Sequence, residues 1–334
     1  MKHVSILIPQ GDCSLTHIEA THMILNEVNK FLEAAGEAPL FHVQLVGLSG
    51  DTCIKKGRFT LHPDVLLAAV NKTDLVIIPA LQGGDLEAGL AVNAPFVTWM
   101  QEQHRRGAAL ASFCLGSFLL AQTGLLNGRA CTTHWSAVPA FRALFPDVIV
   151  MPDKIITDED GVYTSGGALS FTNLLLYLIE KYAGRPVAIQ AAKVFMIDMD
   201  RESQSPFIIF KGQKNHEDPE IRQAQEFIEQ HYTERLSVDD LAARFAIGRR
   251  NLERRVKKAT ANTIFEYIQR VKIEAAKQRL EATRETVNEV MYGVGYTDPK
   301  AFRAIFKKVT GLAPVQYRAK YSRHAIPRLE EAAA

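Results

Sequence analysis

Cys114 is the side chain in this sequence whose setting most favours covalent chemistry. It ends an apolar run, Ala108-Ala109-Leu110-Ala111-Ser112-Phe113, and is followed by Leu115, Gly116 and a helix-forming stretch from Ser117. A strand that turns sharply into a helix holds such a side chain out at the carboxyl end of a sheet, and small neighbours make room for the turn. The helix dipole there favours the thiolate, the nucleophilic and oxidisable form of cysteine. Further on, Thr132-Thr133-His134-Trp135 offers an imidazole that could act as base or line the same pocket. Each residue also has a plainer reading: Cys114 as a small apolar residue at a tight turn, His134 as a structural hydrogen-bonding histidine, Glu19 as a surface residue opening the first helix. His17, Glu19 and His22 are spaced like ligands yet lack a companion group, so no metal and no cofactor is expected.

A second set of residues could read nucleic acid. Arg249, Arg250, Asn251, Glu253, Arg254 and Arg255 surround Leu252 and Val256 on one helical pattern, with Lys257 following. Arg250, Glu253 and Arg254 stand at i, i+3 and i+4 and so share a face. Arginine can donate two hydrogen bonds to guanine, and glutamate can accept from cytosine N4. A later basic helix offers Lys300, Arg303 and Lys307 around Phe302 and Phe306, and Pro299 suits its first turn.

The elements that must carry these helices occur twice, about 50 residues apart. Ser237-Val238-x-Asp240-Leu241-Ala242-x-x-Phe245 is echoed by Thr286-Val287-x-Glu289-Val290-Met291-x-x-Val294. Each copy opens with a hydroxyl residue and an acid three positions on, the pattern of a capping box, then an apolar stripe at helical spacing. A short break follows each, Ala246-Ile247-Gly248 or Gly295-Tyr296-Thr297-Asp298, before the basic helix. Between the copies, residues 264–280 read as one long helix with Phe265, Ile268, Val271 and Leu280 on one side. Two helix–turn–helix units in one chain present two helices to two major grooves.

The elements that must carry Cys114 lie upstream. Residues 4–9, 43–48, 74–79 and 108–113 are short apolar runs of buried-strand type. Residues 19–35, 64–70, 93–106 and 117–123 read as helices, and 163–167 with 170–182 as a last strand, turn and helix. This alternation predicts a mostly parallel sheet covered on both faces. Polar, proline-bounded sequence from 200 to 220 marks a linker, with Phe207-Ile208-Ile209-Phe210 an apolar island packing on one of the domains. The expected domains are 1–204, a linker at 205–219, an all-helical domain at 220–323 and a tail at 324–334.

Composition agrees with a protein of this organisation. The chain has 334 residues, 47% of them hydrophobic and 23% charged, and a net charge of +2. Residues 216–324 hold 21 Lys/Arg against 15 Asp/Glu, while residues 1–215 hold 17 against 20. The basic surplus thus accompanies the duplicated units, where phosphate contacts need it. No apolar run reaches the roughly 18 residues of a membrane span. The N-terminus reads as a strand rather than a signal peptide. Four cysteines without C-x-x-C spacing suggest neither zinc nor a disulfide framework, so a reducing cytoplasm is the expected location.

Residues 221–321 resemble the AraC family of transcriptional regulators. The resemblance rests on the end pattern Gly295-Tyr296-x-Asp298-x-x-x-Phe302-x-x-x-Phe306-Lys307-x-x-x-Gly311-x-x-Pro314-x-x-Tyr317-Arg318. Where that family usually has arginine two residues after the first phenylalanine, this chain has Ala304. The first 200 residues resemble the ThiJ/PfpI family, which implies a flavodoxin-like, glutamine-amidotransferase-like sandwich. Cys114 matches its elbow cysteine, Glu19 falls where some members place a carboxyl group, and Gly83-Gly84 match the glycine turn after the third strand. Hydrolases of that family carry histidine after the cysteine, whereas Leu115 stands here, so no catalytic residue is assigned.

The two-domain arrangement is similar to the GlxA group of transcriptional regulators. That resemblance implies a first domain that dimerises and senses a small metabolite at Gly83, Gly84, Cys114, Leu115 and His134, an amine or amino-acid-related compound among the candidates. It implies promoter DNA as partner through Arg249, Arg250, Glu253, Arg254, Lys257, Lys300, Arg303 and Lys307, with RNA polymerase a further partner. The alternatives are a cysteine-dependent amidase, peptidase or glyoxalase-like enzyme using Cys114, or a redox sensor oxidised there.

Overall fold

The computed structural model describes residues 1–82 and 85–322, and the chain divides into two compact units between Gln204 and Ser205. Among the described residues the first unit has eleven strands. They are β1 (Lys2–Ile8), β2 (Phe41–Gly47), β3 (Thr52–Ile54), β4 (Phe59–Leu61), β5 (Val65–Leu66), β6 (Leu75–Ile78), β7 (Ala109–Phe113), β8 (Ala130–Cys131), β9 (Ile149–Val150), β10 (Ile156–Glu159) and β11 (Val162–Ser165). Its helices are α1 (Leu15–Ala34), α2 (Leu86–Val92), α3 (Ala94–Arg105), α4 (Gly116–Ala121), α5 (Val138–Leu144), α6 (Phe171–Ala183) and α7 (Arg185–Val194). Seven strands form one sheet in the order β10-β11-β7-β6-β1-β2-β5, parallel except for β10.

This sheet is buried on both sides, as a parallel sheet must be. Ile6, Ile77 and Phe113 meet Ile18, Leu25 and Val28 of α1 and Leu174 and Leu178 of α6 on one face. Leu7, Val76 and Leu110 meet Phe96 and Met100 of α3 and Phe118 of α4 on the other. Strand order reverses between β1 and β6, so a crevice opens at their carboxyl ends, beside the end of β7.

One expected helix is absent. Residues 64–70 form the edge strand β5 and a 3-10 turn, Leu67–Ala69. Asp64 decides this: its amide donates to the Leu45 carbonyl at 2.9 Å, and its carboxylate accepts from the Leu45 amide at 2.7 Å. Both bonds hold the chain extended along β2. Seven residues are too few for periodicity to tell these states apart. The β3–β4 hairpin was not foreseen either.

The second unit contains α8 (Pro219–His231), α9 (Val238–Arg244), α10 (Arg249–Thr260), α11 (Ile264–Ala282), α12 (Val287–Gly293), α13 (Pro299–Thr310) and α14 (Pro314–Tyr321). Ser237 and Thr286 each close a capping box, with Asp240 and Glu289. Beyond the turns the two copies superpose in sequence at an offset of 50. Thr260 and Thr310 both bond back to the preceding turn, at Val256 and Phe306. Ala261 and Gly311 both end their helices with positive φ. Tyr267 and Tyr317 both reach a glutamate on the helix that opens their own copy, Glu229 of α8 and Glu281 of α11. Helix α11 therefore closes the first copy and opens the second.

Near its start Tyr267 is fully buried while Phe265 is exposed, so Phe265 does not share the buried side of Ile268, Val271 and Leu280 as expected. The apolar island packs within this unit: Phe210 stacks edge-on against Tyr267, and Phe207 lies under Lys320. No helix among the described residues is long and apolar enough to cross a membrane.

Candidate functional site

Cys114 occupies the strand-to-helix elbow between β7 and α4 with φ +53°. A non-glycine residue in the left-handed region costs on the order of 1–2 kcal/mol and persists only where its surroundings enforce it. Three bonds do so. The Cys114 amide donates to Ser165 O at 2.8 Å, and its carbonyl accepts from Ser117 Oγ at 2.9 Å and Thr133 Oγ1 at 3.1 Å. Gly116 completes the turn, since a Cβ there would fall on the carbonyl oxygens of Ile78 and Pro79.

The elbow does not activate its thiol. Cys114 is buried, and burial pushes the thiol up to about 11, outweighing the backbone hydrogen bond at Leu115 that lowers it. No hydrogen bond from His134 or Glu19 reaches it among the described residues. His134 caps a short 3-10 turn, its Nδ1 accepting from the Ser136 amide at 3.2 Å and meeting the Ser136 hydroxyl at 2.7 Å. Burial lowers its pKa. Glu19 is exposed on α1. Leu115 is half-buried among the apolar side chains under α4. Gly83 and Gly84 lie outside the described residues.

The residues that hold this edge together were not foreseen. His17, two positions before Glu19, is the α1 side chain that turns inward. Its Nδ1 accepts from the Ala80 amide at 3.1 Å, which fixes the proton on Nε2 for donation to Ala168 O at 2.9 Å. Burial holds its pKa below the ordinary histidine value despite that second bond. With both nitrogens engaged, His17 is a brace rather than a ligand. Gln204 is buried, its amide nitrogen donating to Thr133 O at 3.0 Å and Lys154 O at 2.9 Å. The His17 position carried a residue-type signal; Gln204 carried none, because its partners, apart from the Thr132 hydroxyl, are backbone groups.

The basic helices are exposed on the expected sides. Arg250, Arg254 and Lys257 are exposed on α10 with Glu253 half-exposed between them, and Lys300, Arg303, Ala304 and Lys307 are exposed on α13. By the 50-residue offset these are the same positions of the two copies. Leu252, Val256, Phe302 and Phe306 are buried beneath them. The cations differ in how far the fold already engages them. Arg249 pairs with Asp239 at 3.0 Å and with Glu253 at 3.4 Å. Arg255 pairs with Asp218 and Glu220, so it anchors α10 on the start of α8. Arg254 donates to Asn251 at 2.8 Å. Arg250, Lys257, Lys300, Arg303 and Lys307 form no ion pair among the described residues, which leaves their charge available to an anionic partner.

Comparison with known proteins agrees with both halves. Residues 19–181 match the DJ-1/PfpI family, and residues 241–320 match a helix-turn-helix domain. The chain is 27% identical over 276 residues to the HTH-type transcriptional regulator GbdR of Pseudomonas aeruginosa, covering 82% of this chain and 74% of GbdR. It is 22% identical over 224 residues to the HTH-type transcriptional regulator GlxA of Rhizobium meliloti, covering 66% of this chain and 68% of GlxA. A crystal structure from Vibrio parahaemolyticus shares the fold of the first unit, with TM-score 0.52 and 23% identity over 58% of this chain and 98% of that one. The chain is thus a DNA-binding transcriptional regulator of the GlxA type, a DJ-1/PfpI domain joined to an AraC-type helix–turn–helix domain.

Proposed function

We propose that the first domain senses a small metabolite at the elbow and that its occupancy controls promoter binding by the second. The observation that carries this reading is the state of Cys114. It sits in the strained elbow at the sheet's carboxyl edge, yet burial pushes its thiol up to about 11 and no base bonds to it among the described residues. Such a site suits recognition better than turnover, with Cys114, Leu115 and His134 lining it. An amine or amino-acid-related compound is the effector class proposed.

On the DNA side, Arg250, Glu253 and Arg254 read base edges, while Arg249, Lys257, Lys300, Arg303 and Lys307 contact phosphates or the second groove. The two recognition helices enter successive major grooves roughly 10 bp apart, and a homodimer in the cytoplasm doubles the site, with RNA polymerase as the downstream partner. A thermal-shift screen of metabolites on the full chain tests the sensing half, because a ligand that binds only the folded state raises apparent stability. At about 100 times its Kd it adds about 2.7 kcal/mol. The hit should shift Cys114→Trp, which fills the site, far less than the wild type. Hits that shift both equally refute the elbow as the site.

A further inference from the structure

We propose that Lys272 is a positioning residue that fixes the spacing and phase of the two recognition helices. The inference rests on the two-helix reading of DNA given above and adds what sets the distance between the helices.

Among the described residues the second unit has two separate apolar cores. One runs from Ile221 through Leu252 and Val256 to Val271; the other runs from Ile273 through Phe302 and Phe306 to Tyr317. They meet on α11 at Val271 and Ile273, and Lys272 is the residue between. Its side chain is not at the surface: the residue is 9% exposed. The ammonium donates to Gly295 O at 3.1 Å, in the turn before α13, and to Glu234 O at 3.4 Å, in the loop before α9. One cation thus bonds one carbonyl from each helix–turn–helix copy.

The contact it spans is close. Gly295 has φ +77°, and a Cβ on it would strike the Thr233 carbonyl and the Lys272 ammonium. The first copy's loop therefore lies directly against the second copy's turn. Tyr232 packs on both cores at the same seam, and the Tyr296 ring stands 5.5 Å from the ammonium. No carboxylate pairs with Lys272 among the described residues. Burying an ammonium without a counter-charge is unfavourable, and desolvation lowers its pKa accordingly. An apolar side chain would avoid that cost but would have no donor to join the two carbonyls. Apolar packing in two independent cores tolerates small rotations about α11, whereas directional hydrogen bonds to both copies do not.

The test uses the full-length protein and duplexes enriched by it from a random-sequence pool. One base pair is then inserted or removed between the two contacted blocks, which changes their phase by roughly 34°. The wild type should lose about tenfold or more in affinity for each altered duplex, the order expected when one of two readers is displaced. Lys272→Met should compress that difference to about threefold or less while changing affinity for a duplex carrying only the α10 block by less than about twofold. Lys272→Arg, which keeps donors, should retain the wild-type preference. Lys272→Gln is run by the same criteria, so that poor folding of the methionine variant does not decide the outcome. Wild-type spacing preference in the Met and Gln variants overturns the inference. So does a parallel loss across all duplexes, which marks a merely structural role. Enriched sites with a single contacted block overturn it while leaving DNA reading intact; absence of any enriched, salt-sensitive sequence overturns the DNA reading itself.

Discussion

Replacing Lys277 by methionine should destabilise the second unit alone, and by an amount the geometry fixes. The Lys277 ammonium lies 2.6 Å from a Glu274 oxygen and 2.6 Å from Ile208 O, and the two side chains are 5% and 15% exposed. The same carboxylate accepts from the Phe210 amide at 3.1 Å. This buried pair staples the segment after Gln204 to α11. Removing only the cation orphans the Ile208 carbonyl and leaves a desolvated carboxylate with one amide donor, together at a cost of about 4 kcal/mol. Replacing both partners by methionine removes the charge and leaves the Ile208 carbonyl and Phe210 amide unpaired, about 1 kcal/mol each.

The single variant should therefore lose about 4 kcal/mol and the double about 2. With a urea dependence of about 2 kcal/mol per M, the midpoints fall by about 2 M and 1 M. The chain supplies its own control. Both tryptophans, Trp99 and Trp135, lie in the first unit, so their fluorescence follows that unit while far-ultraviolet circular dichroism also follows the helical one. The dichroism transition should move and the fluorescence transition should not. A double variant as unstable as the single one refutes the reasoning, because the loss would then not come from an uncompensated charge.

Two further outcomes follow from the sites. Arg250→Ala or Arg254→Ala should cost about 1–3 kcal/mol on the preferred sequence and relax selectivity at one base position, whereas Lys307→Ala should weaken binding evenly and lower the salt slope by about 1, as read by fluorescence anisotropy over a salt series. With its thiol near 11, Cys114 should alkylate far more slowly than exposed Cys53 at pH 7.5 and accelerate about tenfold per pH unit until that value, as read by peptide mass spectrometry; a plateau below pH 9 would show an activated thiolate.

Much of this protein is local and was legible as such. Ser237 with Asp240 and Thr286 with Glu289 announce helix starts because a cap acts within one turn. Leu252, Val256, Phe302 and Phe306 announce buried faces because helical spacing is fixed. Cys114 and Gly116 announce an elbow because few residues fit between a parallel strand and a helix so tightly joined. Where the pattern was short, as at residues 64–70, it misled: the Asp64–Leu45 bonds that make β5 a strand are not local. Phe265 misled likewise, since the buried ring two positions on, Tyr267, is held by Glu229 of another helix.

By itself the sequence determined the parallel α/β class of the first half, the all-helical second half, the duplicated helix–turn–helix and the exposed basic faces. Only the tertiary structure decided that Cys114 is buried with its thiol pushed up by that burial, that His17 rather than Glu19 braces the sheet edge, and that Lys272 and Gln204 are buried fasteners. The physical reason is common to these last two. Apart from the Thr132 hydroxyl that Gln204 also meets, their partners are backbone groups, chiefly the carbonyls of Gly295, Glu234, Thr133 and Lys154, and every residue has a carbonyl, so residue type at those positions says nothing until folding brings the two together.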